Sequence, residues 1–89
     1  MKPSIGRIVH YTLSQQDADE INRRRAYTPQ SGNTAIEGDV YPAMIVRIFG
    51  ETPESAVNLQ VFLDGNDSHW ATSRTVGDGP FHWAWPERV

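Results

Sequence analysis

Ala56-Val57-Asn58-Leu59-Gln60-Val61-Phe62-Leu63 is followed by Asp64-Gly65-Asn66-Asp67 and then by His69-Trp70-Ala71-Thr72-Ser73-Arg74-Thr75-Val76. In the first segment every second residue (Val57, Leu59, Val61, Leu63) is aliphatic, while Asn58, Gln60 and Phe62 take the opposite side. This is the two-residue period of a strand with one buried face. The intervening tetrapeptide is turn chemistry, because Gly and Asn accept the positive backbone angles that tight hairpins demand. The returning segment is rich in β-branched and aromatic residues. The stretch therefore predicts an antiparallel hairpin, and the rest of the fold is organised around it.

Working outward, Val40 to Phe49 (VYPAMIVRIF) is a dense apolar run whose middle reads as a buried strand. Pro42 within it must lie near the strand start or on an edge, since it has no N–H for a ladder. Gly50 to Ser55 forms the connecting turn. On the other side, Gly77-Asp78-Gly79-Pro80 turns the chain again and Phe81 to Trp85 makes a short last strand that ends at Pro86. Near the start, Ile5 to Leu13 places Ile5, Arg7, Val9, Tyr11 and Leu13 on one face of a first strand. Ser14-Gln15-Gln16-Asp17 then carries a helix-starting pattern, in which Ser at the N-cap and Asp three residues later satisfy each other's exposed backbone donors. Leu13 and Ala18 are placed for a hydrophobic staple, and the helix should run to about Arg25 or Tyr27 before Pro29. Thr28 to Asp39 lacks any period and reads as a mobile surface loop.

Five short strands with one helix between the first two make a mainly β single domain over residues 1–89. It is most economically closed as a small SH3-like barrel, since closure removes exposed strand edges; an open α+β sheet is the alternative. A chain of 89 residues buries roughly 60–65% of its unfolded surface. Without cysteine it has no disulfide to compensate, so association into a homo-oligomer is expected. No stretch reaches the roughly 18 apolar residues of a membrane span, and Met1 to Gly6 has no apolar leader core. A cytoplasmic location and no membrane partner are expected.

The net charge of −3 argues against a partner that is long nucleic acid, whose binding draws on an excess of cations. Seven of the eight basic residues are Arg, the residue that grips phosphate or carboxylate through a rigid two-pronged donor set. An arginine-rich codon bias would give the same count. Arg23-Arg24-Arg25 is the single basic run. Asp19 with Arg23 and Glu20 with Arg24 stand four apart in the favourable order for surface pairs. Arg25 instead follows Ala18 by seven and Ile21 by four, which puts it on the stripe facing the protein body and makes it the candidate anion holder.

Phe81, Trp83 and Trp85 alternate, so three large rings share one side of the last strand, and Trp70 and Tyr11 add to the aromatic surface. They either close the barrel end or protrude as stacking platforms and interface anchors. His10, His69 and His82 fall at no metal-ligand spacing, and no cofactor is expected. Ser68-His69 and Ser73 come with nothing that assembles a catalytic triad. The carboxylates Asp64, Asp67 and Asp78 occupy turns, where Asp is ordinary. No enzyme activity is expected.

The segments Gly6-Arg7-Ile8-Val9-His10-Tyr11 and His82-Trp83-Ala84-Trp85-Pro86-Glu87, with Tyr41-Pro42-Ala43 between them, resemble a family of small proteins encoded by bacteriophages and prophages. The similarity spans most of the chain. Relatives usually carry Trp-His-Trp-Pro-Glu at the C-terminal motif, and Ala84 replaces that His here, so any role it had is lost or passed to His82. The resemblance implies a phage context and action by binding, in the virion or against host immunity. One such class, oligomeric sponges for cyclic nucleotide or cyclic ADP-ribose signals, is similar in size and in its arginine and aromatic content. On that reading a base stacks on Tyr11, Trp70, Trp83 or Trp85, with Arg7, Arg25 or Arg74 at phosphate and His10 and His82 nearby. The alternative is a virion structural, assembly or adaptor protein acting through an aromatic protein interface.

Overall fold

The computed structural model describes residues 1–28 and 32–87. The elements in order are β1 (Ile8–Thr12), α1 (Gln15–Tyr27), β2 (Val40–Phe49), β3 (Ala56–Phe62), β4 (Ser68–Val76) and β5 (His82–Ala84). The strands close into a barrel in the order β1-β2-β3-β4-β5. The first four form an antiparallel meander, and β5 completes the ring by pairing antiparallel with β1 and parallel with β4. This is the closed, mainly β barrel with one helix after its first strand that the alternation and turn chemistry predict.

Alternation decides which side chains fill the barrel. Val57, Leu59 and Val61 of β3 are fully buried, as are Ile45 and Ala43 of β2 and Val9 and Tyr11 of β1, and Leu63 just beyond β3 joins them. Trp83 from β5 is the largest buried side chain and sits in the same cluster. Ile5 and Arg7, expected on the buried face of the first strand, are exposed. Gly6 takes a positive φ of 87° there, and the resulting turn delays the strand until Ile8. No helix among the described residues is long and apolar enough to cross a membrane.

The helix start follows its sequence pattern. Ser14 caps it, its hydroxyl accepting from the Asp17 N–H while the Asp17 carboxylate accepts from the Ser14 N–H. Leu13 and Ala18 are both buried at this junction. The surface pairs Asp19 with Arg23 and Glu20 with Arg24 do not form: Asp19 accepts from Gln15, and Arg24 reaches across to the Ser68 carbonyl. The segment from 32 to 39 is tied to the helix. The Asn22 side-chain amide donates to the Ala35 carbonyl and accepts from its N–H, and Ala35 is buried. Residues 29–31 of the loop expected over 28–39 lie outside the described residues.

One irregularity in the sheet positions the site. Val57 pairs with Arg74 but Leu59 pairs with Ala71, so β4 carries an extra residue between these points. Ser73 takes up the bulge with φ of 56°, and its N–H is satisfied by the Asn58 side chain. A bulge inverts the alternation downstream of it. His69 and Ala71 face inward before it, and Arg74, which strict alternation would send outward with Trp70, instead faces inward after it.

Candidate functional site

The bulge brings Arg74 against the N-terminal turn of α1, where it joins Tyr11, Asp17 and His69. The Asp17 carboxylate accepts from His69 Nε2 at 3.1 Å and Arg74 Nη2 at 3.0 Å through Oδ1, and from the Tyr11 hydroxyl and the Ser14 N–H through Oδ2. Arg74 Nε donates to the Tyr11 oxygen at 2.7 Å, and Nη1 to the Thr72 carbonyl. Asp17 and His69 are almost fully buried. Because a carboxylate only accepts, His69 presents Nε2–H to it, and its Nδ1 has no partner and no solvent contact.

Electrostatics follows from these bonds. Burial would raise the Asp17 carboxyl, but hydrogen bonds from His69, Tyr11 and Ser14 together with the Arg74 charge outweigh it and hold the group well below the usual carboxylate range. Burial, with the hydrogen bond to Asp17, pushes the Tyr11 phenol far above its ordinary value.

Next to the cluster opens a cleft of about 340 Å³, lined by Gln16, Asp17 and Glu20 from α1, His69, Trp70, Thr72 and Arg74 from β4, and Phe81. This volume lies at the lower end of the range of small-molecule sites. The Phe81 ring lies 3.8 Å from the Arg74 guanidinium, and the Tyr11 ring centroid lies 5.7 Å from it. Trp70 is largely solvent-exposed at 62%. Phe81 holds a positive φ of 78°. For a bulky residue this backbone is strained, and together with Ser73 it means that both positive-φ non-glycine residues among those described flank Arg74. Strain of this kind concentrates at functional sites, where the surrounding structure must hold it in place.

The residues nominated from the sequence separate. Trp70 and Arg74 line the cleft together. Tyr11 bonds to Arg74 but is fully buried and does not line the cleft, so the face expected to stack on a base is closed off in the core. Arg25 does not: its Nε and Nη2 form a two-pronged pair with Asp67 at 2.9 and 2.7 Å, and its Nη1 donates to the Asn33 carbonyl. That pairing raises the Arg25 pKa and lowers that of Asp67, so the charge expected to hold an anion is already matched by a carboxylate of the β3–β4 turn. Trp83 is a core residue whose indole N–H has no partner, and Trp85 meets it edge-on at 5.2 Å at the margin of the core. Arg7 stacks over Trp85 at 5.1 Å. His10 is exposed on the outside of β1, and His82 Nδ1 lies 3.1 Å from the Thr75 carbonyl.

Sequence reading missed Asp17 beyond its capping role, and it missed His69 and Phe81. For His69 a signal was present, since it falls on the inward side of β4 with Ala71. No group of three or more metal-ligating side chains is gathered among the described residues. No protein-family profile, curated protein or solved structure matches the chain.

Proposed function

We propose that this protein binds a small nucleotide without turning it over, taking the base into the cleft between α1 and β4. In the phage context that the terminal motifs suggest, this is an anti-defence role: sequestration of a small, cyclic-nucleotide type of immune signal in the host cytoplasm. The observation that carries the reading is the convergence on one cleft of an exposed indole, Trp70, with a guanidinium that is fixed in place and ringed by aromatic groups, Arg74. Aromatic faces stack on bases with a contribution of about 1–3 kcal/mol each. Because Asp17 already balances the Arg74 charge, recognition is led by the base rather than by phosphate. Turnover has little support in the cluster: His69 has its one remaining ring nitrogen sealed from solvent and from any hydroxyl nucleophile. A second copy of the chain closing this open cleft would complete a homo-oligomeric binder.

The test is thermal unfolding against linear and cyclic nucleotides and cyclic ADP-ribose isomers. Binding at about 100 times the dissociation constant stabilises by roughly 2.7 kcal/mol, a midpoint shift well above 5 °C for a domain this size. The bound compound should be recovered unchanged after denaturation, and Trp70→Ala should abolish the shift. A cleaved product, or undiminished binding by Trp70→Ala, would overturn the reading.

A second reading, an adaptor or virion assembly protein, has its own support on the outside of the sheet. Ile8 pairs with Met44, Met44 with Gln60 and Gln60 with Trp70, a continuous row across four strands, with Phe62 two pairs along on the same face. Ile8, Phe62 and Trp70 are all exposed there, and apolar surface of this kind marks protein contacts. Replacement of Ile8 and Phe62 by Ser would disrupt such a partner complex while leaving nucleotide binding in the cleft intact.

A further inference from the structure

The nucleotide reading leaves open which base the cleft accepts, and the arrangement of donors and acceptors around it narrows the choice. Arg74 spends Nε–H on Tyr11, one Nη1 hydrogen on Thr72 and one Nη2 hydrogen on Asp17. A guanidinium has five N–H donors, so one hydrogen on each terminal nitrogen remains uncommitted. Those two donors suit a ligand edge with two adjacent acceptors. Asp17 has nothing left to offer, since each of its oxygens already accepts two hydrogen bonds. Glu20, one helical turn beyond Gln16 on the same wall, is different. Its side chain is exposed and takes part in no hydrogen bond or ion pair among the described residues, and the Arg24 expected to engage it bonds to Ser68 instead. The residues that line the cleft thus include a guanidinium with two uncommitted donors, a free carboxylate and an exposed indole.

Resting on the nucleotide reading, we infer that the cleft selects guanine, with Arg74 donating to O6 and N7, Glu20 accepting from N1–H and the 2-amino group, and Trp70 stacking on the ring. Guanine alone among the common bases carries two adjacent acceptors on its major-groove edge beside two donors on its pairing edge. Adenine turns its 6-amino donor toward an Arg74 donor and its bare N1 toward the Glu20 carboxylate, so both contacts are lost and become repulsive. Glu20 is therefore the specificity residue. Its role is independent of the fold, because it supports neither the Asp17 cluster nor the helix cap.

The experiment measures, by calorimetric titration of the full chain, the affinities of GMP, IMP, AMP, CMP and UMP and of a short single-stranded oligoguanosine, for wild type and for Glu20→Gln. GMP should bind about tenfold or more tighter than AMP, with IMP, which lacks the 2-amino group, between them. Glu20→Gln should remove most of the preference for GMP over IMP without moving the unfolding midpoint. Equal or tighter binding of AMP, retained in wild type and abolished by Trp70→Ala, would overturn the guanine assignment and leave the nucleotide reading standing. Binding of the oligonucleotide but not of GMP would likewise overturn it, because the proposal is for a free nucleotide. Failure of every one of these ligands would overturn the guanine assignment, and failure of the cyclic compounds in the thermal panel as well would overturn both.

Discussion

Two arginines of this protein use the same three nitrogens for nearly the same purpose. Arg25 holds Asp67 through Nε and Nη2 and a backbone carbonyl through Nη1; Arg74 holds Tyr11 and Asp17 through Nε and Nη2 and a backbone carbonyl through Nη1. Each fastens one end of α1 to the β3–β4 region. Their surroundings differ. Arg25 joins a helix side chain to a turn, over a glycine with no room for a side chain: a Cβ on Gly32 would fall 2.6 Å from Arg25 Nη2 and 2.8 Å from the Asp64 carbonyl. Arg74 is embedded among aromatic rings, reached through a bulge and flanked by two strained residues. The comparison teaches that an ion pair of given geometry serves as a fastening when its neighbours are backbone, and is a candidate for recognition when they are rings and an open cleft.

That contrast can be broken experimentally. Asp17→Ala should have the largest effect. It strands Arg74 and His69, frees the Tyr11 hydroxyl and deletes half of the helix cap, so a loss of about 3–5 kcal/mol is expected, a large share of the stability of a small domain. Urea unfolding at pH 7 measures it, and a loss below about 1 kcal/mol would show that the buried cluster is not a fastening at all. Arg25→Ala, at the more accessible pair, should cost about 1.5–3 kcal/mol in the same assay, with the cleft between α1 and β4 unaffected.

Titration sharpens the comparison. Asp17 and Asp67 both have depressed pKa values in the folded protein, so the unfolded chain binds protons more readily. The stability each contributes is present above the unfolded carboxylate value of about 4 and is lost as pH falls through the folded values. In Arg25→Ala the Asp67 share disappears, and the acid decline of stability should become shallower, retaining the Asp17 share. Tyr11 has the opposite sign. Its raised pKa means that its contribution is present below the unfolded value of about 10 and is lost as pH rises toward the folded value. Tyr11→Phe should remove this alkaline limb in a pH series of denaturation midpoints. The smallest change in stability, within about 0.5 kcal/mol, is expected for Trp70→Ala, whose effect should appear instead as lost ligand binding.

Most of the architecture was legible in the sequence. The alternation of Val57, Leu59, Val61 and Leu63, the Asp64 to Asp67 turn and the Ser14 to Asp17 cap each act over a few residues, and local chemistry specifies them almost completely. The site was less legible, for a reason visible in β4. Counting by twos from His69 places Arg74 on the outside, and no residue type announces the bulge at Ser73 that inverts the count. Arg25 misled in the other direction: its stripe position was read correctly as facing the protein body, but Asp67, 42 residues away, could not be paired with it from spacing. Phe81, expected on the same side as Trp83 and Trp85, leaves them through its positive φ and covers Arg74. Long-range partners and backbone irregularities, rather than propensities, made the difference.

The way the barrel is sealed has a kinetic consequence. His10 and Tyr11 pair with Ala84 and Trp83, so the strand formed first in the chain waits for the one formed last. Loops that long close slowly. During synthesis the β2–β3–β4 meander can assemble as soon as it leaves the ribosome, but the slot for Trp83 stays empty and two strand edges stay open until residue 85 has emerged. The four-stranded sheet thus stays unsealed between the completion of β4 and the arrival of β5, and that last three-residue strand acts as the latch that turns it into a barrel.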